Sequence, residues 1–117
     1  MKRVLVALDA SPRAPAVLAA ADKLAETANA SLVLFRAVGV EPEVAAAHAE
    51  LARLAETVVP RAHVESVQAA IATPWEGICR TARDVIADLI AVGGSGPTSA
   101  QVVSHADRDV LVVRATP

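Results

Sequence analysis

Aromatic side chains are nearly missing from this chain, which has one Trp, one Phe and no Tyr. Such a protein offers no row of rings on which nucleic-acid bases could stack. Excess positive charge is missing as well. A formal net charge of −2 argues against general nucleic-acid binding, which needs a basic surface to displace counterions. It does not exclude a local site for a small anion. The one cysteine, Cys79, cannot form an internal disulfide, so a cytoplasmic location is expected. No apolar run approaches the roughly 18 residues of a membrane span. Lys2 and Arg3 precede an apolar run, Val4 to Leu8, but Asp9 ends it too early for a secretory leader. The three histidines, His48, His63 and His105, fall on separate segments, so no metal centre is expected.

What is abundant is small and aliphatic. Of 117 residues 54% are hydrophobic, with 27 Ala and 18 Val among them. The length fits a single domain over residues 1–117 with a substantial core. The composition is too apolar for a disordered chain. A core of such side chains lets backbones approach closely.

Short β-branched runs alternate with amphipathic stretches. The run Arg3 to Asp9 reads as strand one. Ser11 followed by Pro12 reads as a helix cap and first helical residue. Val17, Leu18, Ala21, Leu24, Ala25 and Ala28 then recur at helical spacing, with Asn29 as the stop. Residues 31–38 (SLVLFRAV) read as strand two and 39–43 as a loop. Val44, Ala47, Leu51, Leu54 and Val58 line one face of a second helix, which Pro60 ends. Strand three lies within His63 to Ile71, with a blurred register. Thr73-Pro-Trp-Glu76 has the form of a capping box. It opens a helix expected to bury Trp75, Ile78, Cys79, Ala82, Val85 and Ile86. Asp88 to Val92 is strand four, Thr98 to His105 a short helix, and Asp109 to Arg114 strand five. This alternation specifies an α/β fold, a parallel sheet with helices on both faces.

Ligands of doubly wound sheets bind beyond the carboxyl ends of the strands. Three segments end there with usable chemistry: Asp9-Ala10-Ser11, the stretch from Ala37 to Val40, and Gly93-Gly94-Ser95-Gly96. The glycines can turn with positive φ and present amides to an anion, and a helix starts just beyond them. Pro97 offers no N–H there. Asp9 either reaches a ribose hydroxyl, base or metal, or starts the turn. Arg36, near the end of strand two, reads as a solvated strand-end charge beside the cleft. Cys79 falls on a buried stripe and reads as core. Trp75 reads as core or edge packing. No P-loop, no dinucleotide fingerprint and no nucleophile elbow is present, so no catalytic residue is expected.

The segments Val4 to Pro12 (VLVALDASP), Thr73 to Ile78 (TPWEGI), Asp88 to Gly93 (DLIAVG) and Ala100 to Arg114 together resemble the universal stress protein (UspA-like) family, in the right order along nearly the whole chain. The resemblance implies a Rossmann-like five-stranded parallel sheet in the order 3-2-1-4-5. It also implies a homodimer paired through strand five, here Val110, Leu111, Val112 and Val113. One branch of the family binds ATP through Gly-x-x-Gly, about nine residues, then Gly-Ser/Thr. Gly93 to Gly96 match the first half, Asp9 matches the acidic position after strand one, and Ala37 or Val38 falls where adenine would lie. The resemblance thereby implicates Asp9, Ala10, Ser11, Ala37, Val38, Gly93, Gly94, Ser95, Gly96, Thr98 and Ser99 in binding ATP or another adenine nucleotide. The second half of the motif has no counterpart, because Pro97-Thr98-Ser99-Ala100 already begins the last helix, and the loop near Glu43 and Val44 is short too. The expectation is a binding and regulatory module of the stress response with a degenerate nucleotide site, not an enzyme. The alternative is an ATP-binding member with slow hydrolysis whose phosphate loop is incomplete in this sequence. A phosphoacceptor receiver-like domain ranks lower still. It lacks the acidic pair after strand one, the Asp near Ile71 to Thr73 and the Lys near Arg114.

Overall fold

The computed structural model describes residues 1–94 and 96–114. Five strands and four helices alternate: β1 (Arg3–Ala7), α1 (Ala14–Ala28), β2 (Ser31–Val38), α2 (Pro42–Val58), β3 (Val64–Ile71), α3 (Pro74–Asp84), β4 (Leu89–Gly93), α4 (Pro97–His105) and β5 (Asp109–Val113). The strands form one parallel sheet in the order β3-β2-β1-β4-β5. The indistinct register of the third strand has a physical counterpart, a shift in the β2/β3 pairing between Leu32 and Val33.

Alternation along the strands divides the interior into two cores. Val4, Val6 and Leu8 face α1 and α2, joined by Leu32, Leu34, Val17, Leu18, Ala21 and Leu51. Leu5 faces the other way, toward α3 and α4, with Val33, Phe35, Ile90, Ile78, Ala82 and Val102. β1 and β4 are therefore apolar on both faces, as central parallel strands must be. Alanines at 14, 21 and 25 of α1 and at 82 of α3 keep the helices close to the sheet. Gly77 does the same for the start of α3. A Cβ there would lie 2.8 Å from the Ala72 Cβ and 3.1 Å from the Phe35 ring.

Helix ends follow turn chemistry more than the sequence pattern implied. α1 starts later than Ser11-Pro12, with Arg13 at its N-cap and Pro15 in its first turn. The Ser11 hydroxyl accepts from the Arg13 N–H and so completes a turn before the helix. α2 begins at Pro42, within the expected loop. Thr73 occupies the N-cap of α3 in extended conformation, but no side chain completes the capping box. Asn29 ends α1 in the left-handed conformation, as anticipated. Ile86 departs from expectation. α3 ends in a Schellman turn, with Ala87 N–H donating to Ala82 O at 2.9 Å and Ile86 N–H to Arg83 O at 3.2 Å. This places Ile86 at φ 54°, a costly conformation for a β-branched residue, and leaves it 72% exposed instead of buried.

Polar fasteners hold the end of the sheet where the strands begin. Asp88 accepts from the Lys2 N–H at 2.7 Å and the Arg3 N–H at 3.0 Å. Arg108 donates to Ala82 O at 2.7 Å and Ala87 O at 2.9 Å, tying the end of α3 to the approach of β5. A cation at a helix C-terminus is also favoured by the helix dipole. No helix among the described residues is long and apolar enough to cross a membrane.

Three carboxylates lie below their ordinary range in this fold. Asp88 is lowered by the Lys2 and Arg3 amides, Glu65 first by its hydrogen bond from Arg3, and Asp107 first by its hydrogen bond from Arg108. The folded chain holds these protons less tightly than the unfolded chain. Their stabilisation is therefore complete above the unfolded carboxylate value and is lost as pH falls through the lowered folded values. Asp22, raised by burial and then by Glu26, acts in the opposite sense. Urea midpoints followed by circular dichroism should be steady from about pH 7 to 5 and fall below about pH 4. Asp88→Asn should lower the neutral midpoint and flatten part of the acid decline. An unchanged midpoint at pH 7 would contradict the role given to Asp88.

Candidate functional site

The strand order reverses between β1 and β4, and the loops leaving these two strands diverge to opposite faces of the sheet. A cleft of about 150 Å³ opens there. Its apolar surface comes from Leu8, Val17, Phe35, Ile78 and Val92, and its polar rim from Asp9, Ser11, Arg13, Thr98 and Ser99. The starts of three helices reach it, through Arg13 and Ala14 of α1, Pro74 of α3, and Thr98 and Ser99 of α4. Helix N-termini carry partial positive charge, so this convergence favours an anionic ligand.

The loop after β1 is tightly built. The Leu8 N–H donates to Phe35 O at 2.9 Å, extending the pairing with β2 by one residue. The Asp9 carboxylate accepts from the Ser11 N–H at 3.0 Å, and the Ser11 hydroxyl accepts from the Arg13 N–H at 3.2 Å. Asp9 therefore does start the turn. The residue also lines the cleft.

Arg36 is not the solvated strand-end charge that its position in the sequence implied. Its side chain is only 11% exposed. The guanidinium donates to Leu8 O at 3.0 Å and Asp9 O at 3.1 Å, and pairs with Glu50 of α2. One side chain thus joins β2, the loop after β1, and α2. The carbonyls it holds are 27 and 28 residues away in sequence, which is why no local pattern reveals them.

The glycine turn is less generous to an anion than its composition implied. Gly93 ends β4 and lines the cleft. The Gly94 N–H is already committed, donating to Val113 O at 2.8 Å. A Cβ at Gly94 would come within 3.1 Å of both Val112 and Arg114, so this glycine allows β5 to approach and does not present an amide to the cleft. Gly96 caps α4 at φ 95°, a conformation reserved in practice for glycine, with open space around it. The Ser99 hydroxyl donates to Gly96 O at 3.3 Å and is nearly buried.

Of the residues implicated from sequence, Asp9, Ser11, Ala37, Gly93, Thr98 and Ser99 line the cleft. Ala10 is exposed and Val38 buried outside it, and Gly94 and Gly96 do not line it either. Ser95 lies outside the described residues. Arg13 was not anticipated. The signal for it was available, since it stands between the turn residue Ser11 and the first helical stripe residue Val17. Among the described residues no three His, Cys, Asp or Glu side chains group as a metal site. Cys79 is buried in the core, and desolvation pushes its thiol up, away from the reactive thiolate. Trp75 stacks on His105 at a ring separation of 4.2 Å, between α3 and α4.

The chain matches the model of the universal stress protein family over residues 1–114. No curated protein sequence matches it significantly. Similar solved structures include a universal stress protein in complex with cAMP, with 23% identity, TM-score 0.83 and 98% of each chain covered. Another is a universal stress protein from Archaeoglobus fulgidus in complex with dAMP, with 21% identity and TM-score 0.82, covering 97% of this chain and 98% of that one. A third is UspA from Lactobacillus plantarum, with 24% identity, TM-score 0.75 and 97% of each chain covered. At these identities the likeness is one of fold.

The environment of Arg36 sets the size of its contribution. Arg36→Met keeps the aliphatic stem but leaves the Leu8 and Asp9 carbonyls without their charged donor, and should cost about 1.5–3 kcal/mol. Glu50 is 54% exposed, so Glu50→Gln should cost less than about 1 kcal/mol. Urea unfolding of the two variants checks this, and equal losses would refute the hierarchy.

Proposed function

Because the chain belongs to the universal stress protein family, we propose that its cleft binds an adenine nucleotide and that the protein acts in the stress response as a binding and regulatory module, not as a catalyst. The observation that carries this reading is the cleft itself, at the switch point between β1 and β4. Leu8, Val17, Phe35, Ile78 and Val92 form an apolar bed, with Ala37 leaving room for a flat ring at the end of β2. In this reading Asp9 accepts from a ribose hydroxyl, and the first turn of α4 at Thr98 and Ser99 donates to a phosphate. The relatives solved with cAMP and with dAMP support the choice of an adenine nucleotide. Binding is preferred to catalysis because the described lining holds one carboxylate, Asp9, and no histidine, cysteine or lysine that could activate a nucleophile beside Ser11, Thr98 or Ser99.

Isothermal calorimetry with adenine nucleotides tests this directly. A single saturable site is expected, and ligand at about tenfold its Kd should add about 1.4 kcal/mol of stability, several degrees in Tm. Ala37→Phe fills the bed of the cleft and should abolish the binding heat while the protein stays folded by circular dichroism. Absence of heat from every adenine nucleotide at millimolar concentration would overturn the assignment.

We also propose that the protein is a homodimer paired along β5. This strand is an outer strand of the sheet, and Val112 on it is 37% exposed. Val110, Leu111, Val112 and Val113 make an apolar run on this outer strand, with its charged residue, Asp109, at the start. Sedimentation should show a dimer that Val112→Lys shifts toward monomer. A monomer at all concentrations would refute the interface.

A further inference from the structure

Leu32 and Leu34 of β2 belong to the core under α1 and α2. Arg36 is the next position of the same stripe. An aliphatic residue would suit that position, and a guanidinium there costs desolvation unless its donors are used. Its side chain is nevertheless almost enclosed. Sequences break a packing rule of this kind chiefly where a site requires it.

The guanidinium is planar, so its donors keep a fixed fork. One edge, Nε and Nη2, spans two consecutive carbonyls, Leu8 O at 3.0 Å and Asp9 O at 3.1 Å. Nη1 pairs with Glu50 of α2, which balances the charge. Among the described residues no backbone N–H outside the regular elements reaches either carbonyl, so Arg36 is what orients these two peptide groups. The turn that follows carries Asp9 and Ser11, both of which line the cleft. The Asp9 carboxylate uses Oδ1 to accept from the Ser11 N–H at 3.0 Å. Among the described residues its Oδ2 has no hydrogen-bond donor, and it remains an acceptor for a ligand hydroxyl.

We propose that Arg36 is the positioning residue of the cleft. By holding the Leu8 and Asp9 carbonyls it sets Asp9 against the sugar of the ligand, and the preference for a ribosylated base over the free base depends on it. The inference rests on the nucleotide reading above and assigns the group that gives the site its sugar selectivity. Arg36 acts through Asp9 and not through its charge, which Glu50 already balances.

Calorimetry with adenine, adenosine and AMP tests this on the whole chain. Adenosine should bind the wild-type protein about tenfold tighter than adenine. Arg36→Met should bring that ratio close to one and leave the affinity for adenine within about twofold of wild type. Arg36→Lys keeps a donor but not the fork, so it should restore part of the ratio. It also carries the test if Arg36→Met does not fold. Asp9→Ala should abolish the ratio by itself, and Arg36→Met added to it should lower adenosine affinity no further, as expected of two residues that act as one. A wild-type ratio in either Arg36 variant, or equal losses of adenine and adenosine, would give Arg36 a structural role only and overturn the proposal. Wild-type protein that binds adenosine no tighter than adenine would overturn it too, while leaving the nucleotide reading standing. If adenine, adenosine and AMP all fail to bind, the nucleotide reading falls and this inference falls with it.

Discussion

A parallel sheet has two apolar faces, and neither can be left to water. That constraint organises the molecule. Each strand must be followed by a crossover long enough to return the chain, and each crossover here is a helix that covers part of a face. Because all strands run the same way, all crossovers leave from the same end of the sheet. Where α1 departs to one face and α4 to the other, the sheet opens between β1 and β4. The cleft is a geometric result of covering the sheet before it is a place for any ligand.

Aliphatic burial supplies most of the cohesion, and it is non-directional. Direction comes from a few polar contacts at the two ends of the sheet. At the end where strands start, Asp88 gathers the first amides of β1, and Arg108 fastens the last turn of α3 to the approach of β5. At the end where strands finish, Arg36 gathers the carbonyls that lead out of β1. Arg36 and Arg108 both hold carbonyl oxygens in half-buried positions, where a guanidinium counts for more than in an exposed ion pair. The site is thereby set on a braced loop, and Asp9 owes its position to a residue of the next strand.

The parts of the fold that depend on short-range pattern were legible in the sequence. Residues 31–38 read as a strand and are β2, because a short, nearly continuous apolar run between the turn residues Asn29 and Gly39 suits a strand buried on both faces. The strand order 3-2-1-4-5 came from family resemblance, since alternation alone leaves the order open. Helix ends were less legible because turn chemistry competes for the same residues. Ser11 and Pro12 have the composition of a cap, yet Ser11 completes a turn and the helix waits for Arg13. Ile86 continues the apolar spacing of α3, but the chain leaves the helix at Val85 and turns it outward. The lining of the candidate cleft was legible at Asp9, Ser11, Ala37, Gly93, Thr98 and Ser99 and obscure where partners are remote. Gly94 looked like an anion donor because Val113, which takes its N–H, lies in another strand.

The scarcity of aromatic residues acquires a different meaning once Trp75 is placed. With one indole and no phenol, the intrinsic emission of the chain comes from a single point. That point is the seam between α3 and α4, where Trp75 stacks on His105 and its neighbour Pro74 forms part of the cleft wall. The protein therefore carries a built-in local optical probe. A change in its spectrum reports the packing of two helices around the cleft, not an average over the molecule, and no engineered label is needed to follow that seam.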